Sequence, residues 1–209
     1  MFSAFDAVIF DLDGTLIDSA PGVMACLAET VGETGLAADE SKLNRALIGP
    51  PLETMLRTLC PTESAEKTAA AVQVFRRIYD AAPTAGCSMI PAAERLLTGL
   101  RGQGKRLFVA TNKPFKPAVA LIDRLGLGWF EAVFAPDVTD GKRLTKTEML
   151  QNLIADFDLD KKRAVMVGDA VSDMTAARAA GMKACAVLWG YEQDKGKLQK
   201  AADFVWSEE

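Results

Sequence analysis

Histidine is missing altogether from these 209 residues. Its absence removes serine–histidine and cysteine–histidine nucleophile systems, imidazole acid–base catalysis, phosphohistidine chemistry and histidine-ligated metals. Cysteine is sparse. Cys26, Cys60, Cys87 and Cys185 lie far apart and form no C-x-x-C pair, which favours isolated buried thiols over a disulfide framework or a zinc knuckle. Positive charge is not in excess either: the formal net charge is -4 with no Lys/Arg block, so no nucleic-acid polymer and no membrane surface is expected as a partner. No apolar run is long enough to cross a bilayer, and Met1–Asp6 carries no charged leader, so a cytoplasmic location is expected.

Carboxylate chemistry remains available for hydrolysis. An aspartate with its unperturbed pKa of about 3.9 is ionised at pH 7 and needs no base to become a nucleophile. With 49% hydrophobic and 25% charged residues, the composition is that of an ordinary soluble domain, and the length allows one sizeable core plus an insert.

The stretch that organises the chain is Phe10-Asp11-Leu12-Asp13-Gly14-Thr15-Leu16, which follows the apolar run from Phe5 and reads as the end of a short buried strand. Gly14 permits a tight turn there. Asp18 or Ser19 can then cap a helix with Pro21 in its first turn, and Val23, Met24, Leu27 and Val31 continue at helical spacing towards Gly32 and Gly35. Further helices are expected over 39–47, 52–59 and 63–79, with the break Ile48-Gly49-Pro50-Pro51 as a loop and the stripe Val72, Phe75, Ile78, Tyr79 as core packing.

The next strand is expected at 106–111. About ninety residues separate it from Thr15, whereas one crossover needs only a dozen or so, so residues 18–83 are expected to be an inserted helical domain, with 81–86 as the return linker. Residues 1–17 and 84–209 would form the core. From Pro91 onward helices (91–102, 117–125, 146–157, 171–180) alternate with strands (131–135, 164–167, 183–188), and 204–206 reads as a short edge strand. This pattern predicts an α/β fold with a doubly wound parallel sheet.

In such a sheet, ligands collect beyond the carboxyl ends of the strands. Asp11, Asp13, Thr111-Asn112, Lys146 and Gly168-Asp169-Ala170-Val171-Ser172-Asp173 all fall there. Two carboxylates about 4 Å apart repel by about 4 kcal/mol at an effective dielectric of 20, so the cluster needs a cation or must take up protons. An all-oxygen set with a phosphate ligand suits Mg²⁺, and Lys146 adds a second positive charge. The Thr111 hydroxyl and the backbone N–H groups of Gly14, Thr15 and Asn112 can cradle phosphate oxygens.

Asp11-Leu12-Asp13-Gly14-Thr15-Leu16, Ala110-Thr111-Asn112-Lys113-Pro114, Lys146 and Gly168-Asp169 with Asp173 resemble, in order, the four motifs of the haloacid dehalogenase superfamily. The insert resembles that superfamily's cap domain. Its position, with Gly49 and Pro50 in a cap loop, is most similar to the phosphoglycolate phosphatase-like branch. The resemblance implies that Asp11 attacks phosphorus to form an aspartyl-phosphate and that Asp13 serves as general acid and base. It implies that Thr111 and Lys146 hold the phosphate, that Asp11, Asp13 (through its carbonyl) and Asp169 bind Mg²⁺, and that Asp173 supports them. Thr147 stands where many relatives have proline, which leaves Lys142 and Lys113 as rival phosphate-binding lysines. The loop Trp189-Gly190-Tyr191 is read as packing. The expected substrate is a small phosphate monoester and the expected assembly a monomer or homodimer. A 5'-nucleotidase, a pyrophosphatase, a sugar-phosphate mutase and a non-catalytic binding protein are the alternatives, and specificity is expected near Gly49–Glu53 with Arg76 or Tyr79.

Overall fold

The computed structural model describes residues 2–137 and 143–206. Strand β1 (Ala7–Phe10) leads to a two-residue strand β2 (Ile17–Asp18), followed by helices α1 (Ala20–Thr34), α2 (Leu52–Leu59) and α3 (Ala65–Ala81). The chain returns through β3 (Ser88–Met89) to α4 (Pro91–Gly102), β4 (Arg106–Ala110), α5 (Phe115–Arg124), β5 (Ala132–Phe134) and α6 (Lys146–Asp156). It ends with β6 (Ala164–Gly168), α7 (Val171–Ala179), β7 (Lys183–Val187), α8 (Lys195–Ala201) and β8 (Phe204–Trp206).

The main sheet has the order β5-β4-β1-β6-β7-β8, and its pairs are all parallel. Side chains alternate across it. Val8, Phe10, Val109, Val165 and Val167 face one cluster with α4 and α5, while Ile9, Phe108, Ala110 and Met166 face another with α6 and α7. Burial on both faces explains why these strands read as continuous apolar runs. Each fully buried Ile, Phe or Val there contributes about 1.5–3 kcal/mol. The chain moves from β1 to β4 and β5 on one side, then crosses to β6 on the other. The crevice at that reversal lies beyond the end of β1.

Helices α1 to α3 pack around a third cluster that includes Val23, Leu27, Leu56, Val72 and Phe75. The two chain passages linking this helical segment to the sheet are paired as a short antiparallel ribbon, Ile17 with Met89 and Asp18 with Ser88.

Two local expectations are corrected. The helix expected over 39–47 is two separate 3-10 turns, Glu40–Lys42 and Arg45–Leu47. Asp39 and Asn44 each accept the backbone N–H two residues on, from Ser41 at 3.2 Å and Ala46 at 3.0 Å, and so offer the chain an alternative to helix. Of the two capping candidates for α1, Ser19 occupies the N-cap position but its hydroxyl donates to Asp13 Oδ1, whereas Asp18 Oδ1 accepts the Ala20 N–H at 3.3 Å. Among the described residues, no helix is long and apolar enough to cross a membrane.

Candidate active site

Each part of the site is delivered by the end of a strand or the start of a helix. Asp11 follows β1, and its backbone N–H donates to the Val167 carbonyl at 2.9 Å, which ties it to β6. Thr111 follows β4 and Asp169 follows β6. Lys146 opens α6, where Thr145 and Glu148 form a reciprocal capping box that sets the direction of the first turn.

Lys146 is the centre of a buried network. Its Nζ lies 2.7 Å from Asp11 Oδ1 and 2.6 Å from Asp173 Oδ1. Burial works to lower its pKa, but the two carboxylates outweigh it and hold the ammonium firmly protonated. Asp173 Oδ2 accepts the Ala170 N–H at 3.2 Å, so both of its oxygens are engaged. Asp11, Asp169 and Asp173 each offer a carboxylate oxygen within 4.8 Å of the other two. One lysine does not neutralise three buried carboxylates. Burial, together with Asp173 and Asp169, pushes Asp11 up to about 7 despite Lys146. Burial and Asp173 push Asp169 up to about 6, against hydrogen bonds from Tyr191 and Thr15. An all-oxygen, charge-deficient cluster of this kind fits a hard divalent cation.

The Asp13 carboxylate is not part of that cluster. Lys113 Nζ lies 3.0 and 3.1 Å from its two oxygens, and Ser19 Oγ donates to Oδ1. The Thr111 hydroxyl accepts the Lys113 N–H at 3.1 Å, which leaves its own hydrogen available to a ligand. Asp11, Asp13 and Asn112 line two adjoining cavities, of about 400 and 420 Å³, as do Gly49 and Pro50 of the loop before α2. Lys146, Asp169 and Asp173 line the second cavity, and Thr111 and Lys113 the first.

Gly14 and Thr15, expected at the substrate, stand against Asp169. Thr15 Oγ1 donates to Asp169 Oδ1 at 3.0 Å. Gly14 has φ +81°, and a Cβ there would come within 2.5 Å of Asp169 Oδ2. Lys142 lies outside the described residues. Lys113, the other rival of Lys146, is committed to Asp13.

The loop Trp189–Tyr191 does more than pack, a further correction to the sequence reading. Trp189 Nε1 donates to the Thr15 carbonyl at 3.0 Å. The Tyr191 N–H donates to Asp169 Oδ2 at 2.6 Å, and a Cβ on Gly190 would come within 2.2 Å of the same side chain. The Tyr191 hydroxyl accepts the N–H groups of Ser19 (2.9 Å) and Ala20 (3.1 Å) and donates to Asp18 Oδ1 (3.0 Å). The available sequence signal was position, because this loop follows β7 at the same sheet edge.

The geometry agrees with comparison to known proteins. The family model described as haloacid dehalogenase-like hydrolase matches residues 8–187. The chain belongs to this family. Among curated relatives, the phosphoglycolate phosphatase of Rhodospirillum rubrum is 34% identical over 200 residues, covering 90% of this chain and 81% of that protein. The tyrosine-protein kinase PtkA of Mycobacterium tuberculosis is 36% identical over 184 residues, covering 88% of this chain. This chain spans only 62% of that kinase's length. Among solved structures, a haloacid dehalogenase-like hydrolase from Streptococcus pneumoniae superposes with a TM-score of 0.86 at 26% identity, covering 99% and 95% of the two chains. PtkA itself superposes with a TM-score of 0.80 at 30% identity, covering 95% and 98%.

Proposed function

We propose that this haloacid dehalogenase-like chain is a Mg²⁺-dependent phosphatase that hydrolyses a small phosphate monoester through an aspartyl-phosphate. The observation that carries the reading is the buried arrangement of Asp11 on Lys146, beside Asp169 and Asp173 and one residue from the separately held Asp13. Asp11, the Asp13 carbonyl and Asp169 would hold Mg²⁺, which when bound neutralises carboxylate and phosphate charge. Asp173 orients the site through Lys146 and α7.

Lys146 holds Asp11 Oδ1 at 2.7 Å, which leaves the second oxygen to attack phosphorus as the ester P–O bond breaks. Asp13 takes up a proton as the ester binds and passes it to the departing alkoxide. Asp13, now a carboxylate, then takes a proton from the water that attacks the aspartyl-phosphate, which releases inorganic phosphate and restores Asp11. Thr111 and the Asn112 backbone position the phosphoryl oxygens. Helices of the 18–83 insert act as a cap that excludes bulk water. The similarity to the R. rubrum phosphatase favours a phosphoglycolate-like ester.

The similarity to PtkA raises a second reading, because transfer differs from hydrolysis only in the hydroxyl that attacks the aspartyl-phosphate. The test is phosphate release from p-nitrophenyl phosphate and 2-phosphoglycolate with Mg²⁺, EDTA or Asp11→Asn. Release with Mg²⁺ alone is expected. Phosphate transfer from ATP to a tyrosine peptide, without release from either ester, would overturn the phosphatase reading.

A further inference from the structure

Among the described residues, two buried side-chain polar atoms have no hydrogen-bond partner, Tyr79 Oη and Trp206 Nε1. Only Tyr79, 7% exposed, lines the cavity of about 400 Å³ that also contains Asp11 and Asp13. A buried hydroxyl left unpaired carries a desolvation penalty, so its presence beside a reaction centre calls for a ligand that completes it.

The group is well fixed. The Tyr79 ring stacks on Phe75 with centroids 5.5 Å apart and planes at 12°. Lys113 Nζ lies over its face, 5.2 Å from the centroid, and attracts the phenol oxygen, but an ammonium only donates, so the hydroxyl's own hydrogen still has no acceptor. The same ammonium holds Asp13, so one lysine links Tyr79 to the residue that protonates the leaving oxygen. Burial pushes the phenol up to about 12, so it remains a donor at neutral pH.

The wall contributed by α1–α3 is mainly apolar, with Val23, Leu52, Met55 and Phe75, and the charged Arg76 and Asp80 of α3 also line the cavity. Cavities of roughly 300–1,000 Å³ enclose ligands far larger than a two-carbon acid.

Building on the phosphatase reading, we propose that the leaving alcohol carries a hydrogen-bond acceptor near its ester carbon that meets Tyr79 Oη, and an apolar body that fills the wall formed by α1, α2 and α3. The natural substrates are then phosphate esters of hydroxy compounds bulkier than glycolate.

Three probes with secondary-alcohol leaving groups separate the parts: isopropyl phosphate, 2-phospholactate, and 2-phospho-3-phenyllactate. Wild-type kcat/KM is expected to be about tenfold or more higher for the phenyllactate ester than for phospholactate. Tyr79→Phe, which keeps the ring, is expected to reduce the kcat/KM ratio of phospholactate to isopropyl phosphate about tenfold. Equal or lower activity on the phenyllactate ester would overturn the apolar subsite. An unchanged ratio in a folded Tyr79→Phe protein would overturn the hydroxyl anchor. Both results presuppose phosphate release. No release from any of the probes, from p-nitrophenyl phosphate or from 2-phosphoglycolate would overturn the phosphatase reading itself, and this inference with it.

Discussion

Lys113 Nζ grips both carboxylate oxygens of Asp13, at 3.0 and 3.1 Å, across a sequence separation of 100 residues. Burial works against the lysine charge, and Asp13 outweighs it, so the ammonium stays protonated. The pair sets the orientation of the carboxyl that, in the proposed mechanism, serves the leaving oxygen. Lys113→Met is expected to lower kcat by about 10–100-fold, less than the roughly 100–10,000-fold that loss of an acid–base group costs. Steady-state kinetics on p-nitrophenyl phosphate would check this, and wild-type kcat in the variant would remove Lys113 from the mechanism.

Asp11 links function to stability. Its folded pKa of about 7 lies above its ordinary value of 3.8, so between these pH values the folded chain keeps a proton that the unfolded chain has released. The metal-free stability contributed by this group is complete below about pH 4 and is lost as the pH rises through 7. Asp11→Asn removes that dependence. In EDTA at pH 8 the variant is expected to melt about 5 °C above wild type, with the gap closing towards pH 4. Thermal melts across that range provide the check, and a gap independent of pH contradicts it.

The oxygens of Asp11, Asp169 and Asp173 within 4.8 Å of one another predict strong stabilisation by a divalent cation at neutral pH. At one hundred times its Kd, Mg²⁺ is expected to add about 2.7 kcal/mol, or about 5–10 °C in Tm for a chain of this size. Asp169→Asn should abolish most of that rise. Equal Mg²⁺ stabilisation of the two proteins would place the cation elsewhere.

Tyr191 joins the loop after β7 to the start of α1. Tyr191→Phe leaves the buried Ser19 N–H without its acceptor and the Ala20 N–H with only Asp18 Oδ1 at 3.3 Å, at a cost of about 1–3 kcal/mol, and is expected to lower Tm by several degrees. Differential scanning calorimetry would show it. An unshifted Tm would mean that α1 is held by packing alone.

The parallel sheet was legible because its strands are buried on both faces and read as short apolar runs between helical repeats. The placement of Asp11, Asp13, Thr111, Lys146, Asp169 and Asp173 at one sheet edge was legible because the apolar runs mark where each strand ends. The 39–47 segment misled because local Asx hydrogen bonds at Asp39 and Asn44 outweighed a helical pattern.

Residue order alone thus determined the sheet, the absence of histidine and the strand ends that bear the carboxylates, since periodicity and local turn chemistry act over a few residues. Tertiary structure decided which oxygen each cation takes. Lys146 goes to Asp11 and Asp173, Lys113 goes to Asp13, Thr15 and Tyr191 support Asp169, and Tyr79 stays unpaired. Those partners lie tens to more than a hundred residues apart, so only the register of the sheet and the packing of the helices bring them within hydrogen-bond reach.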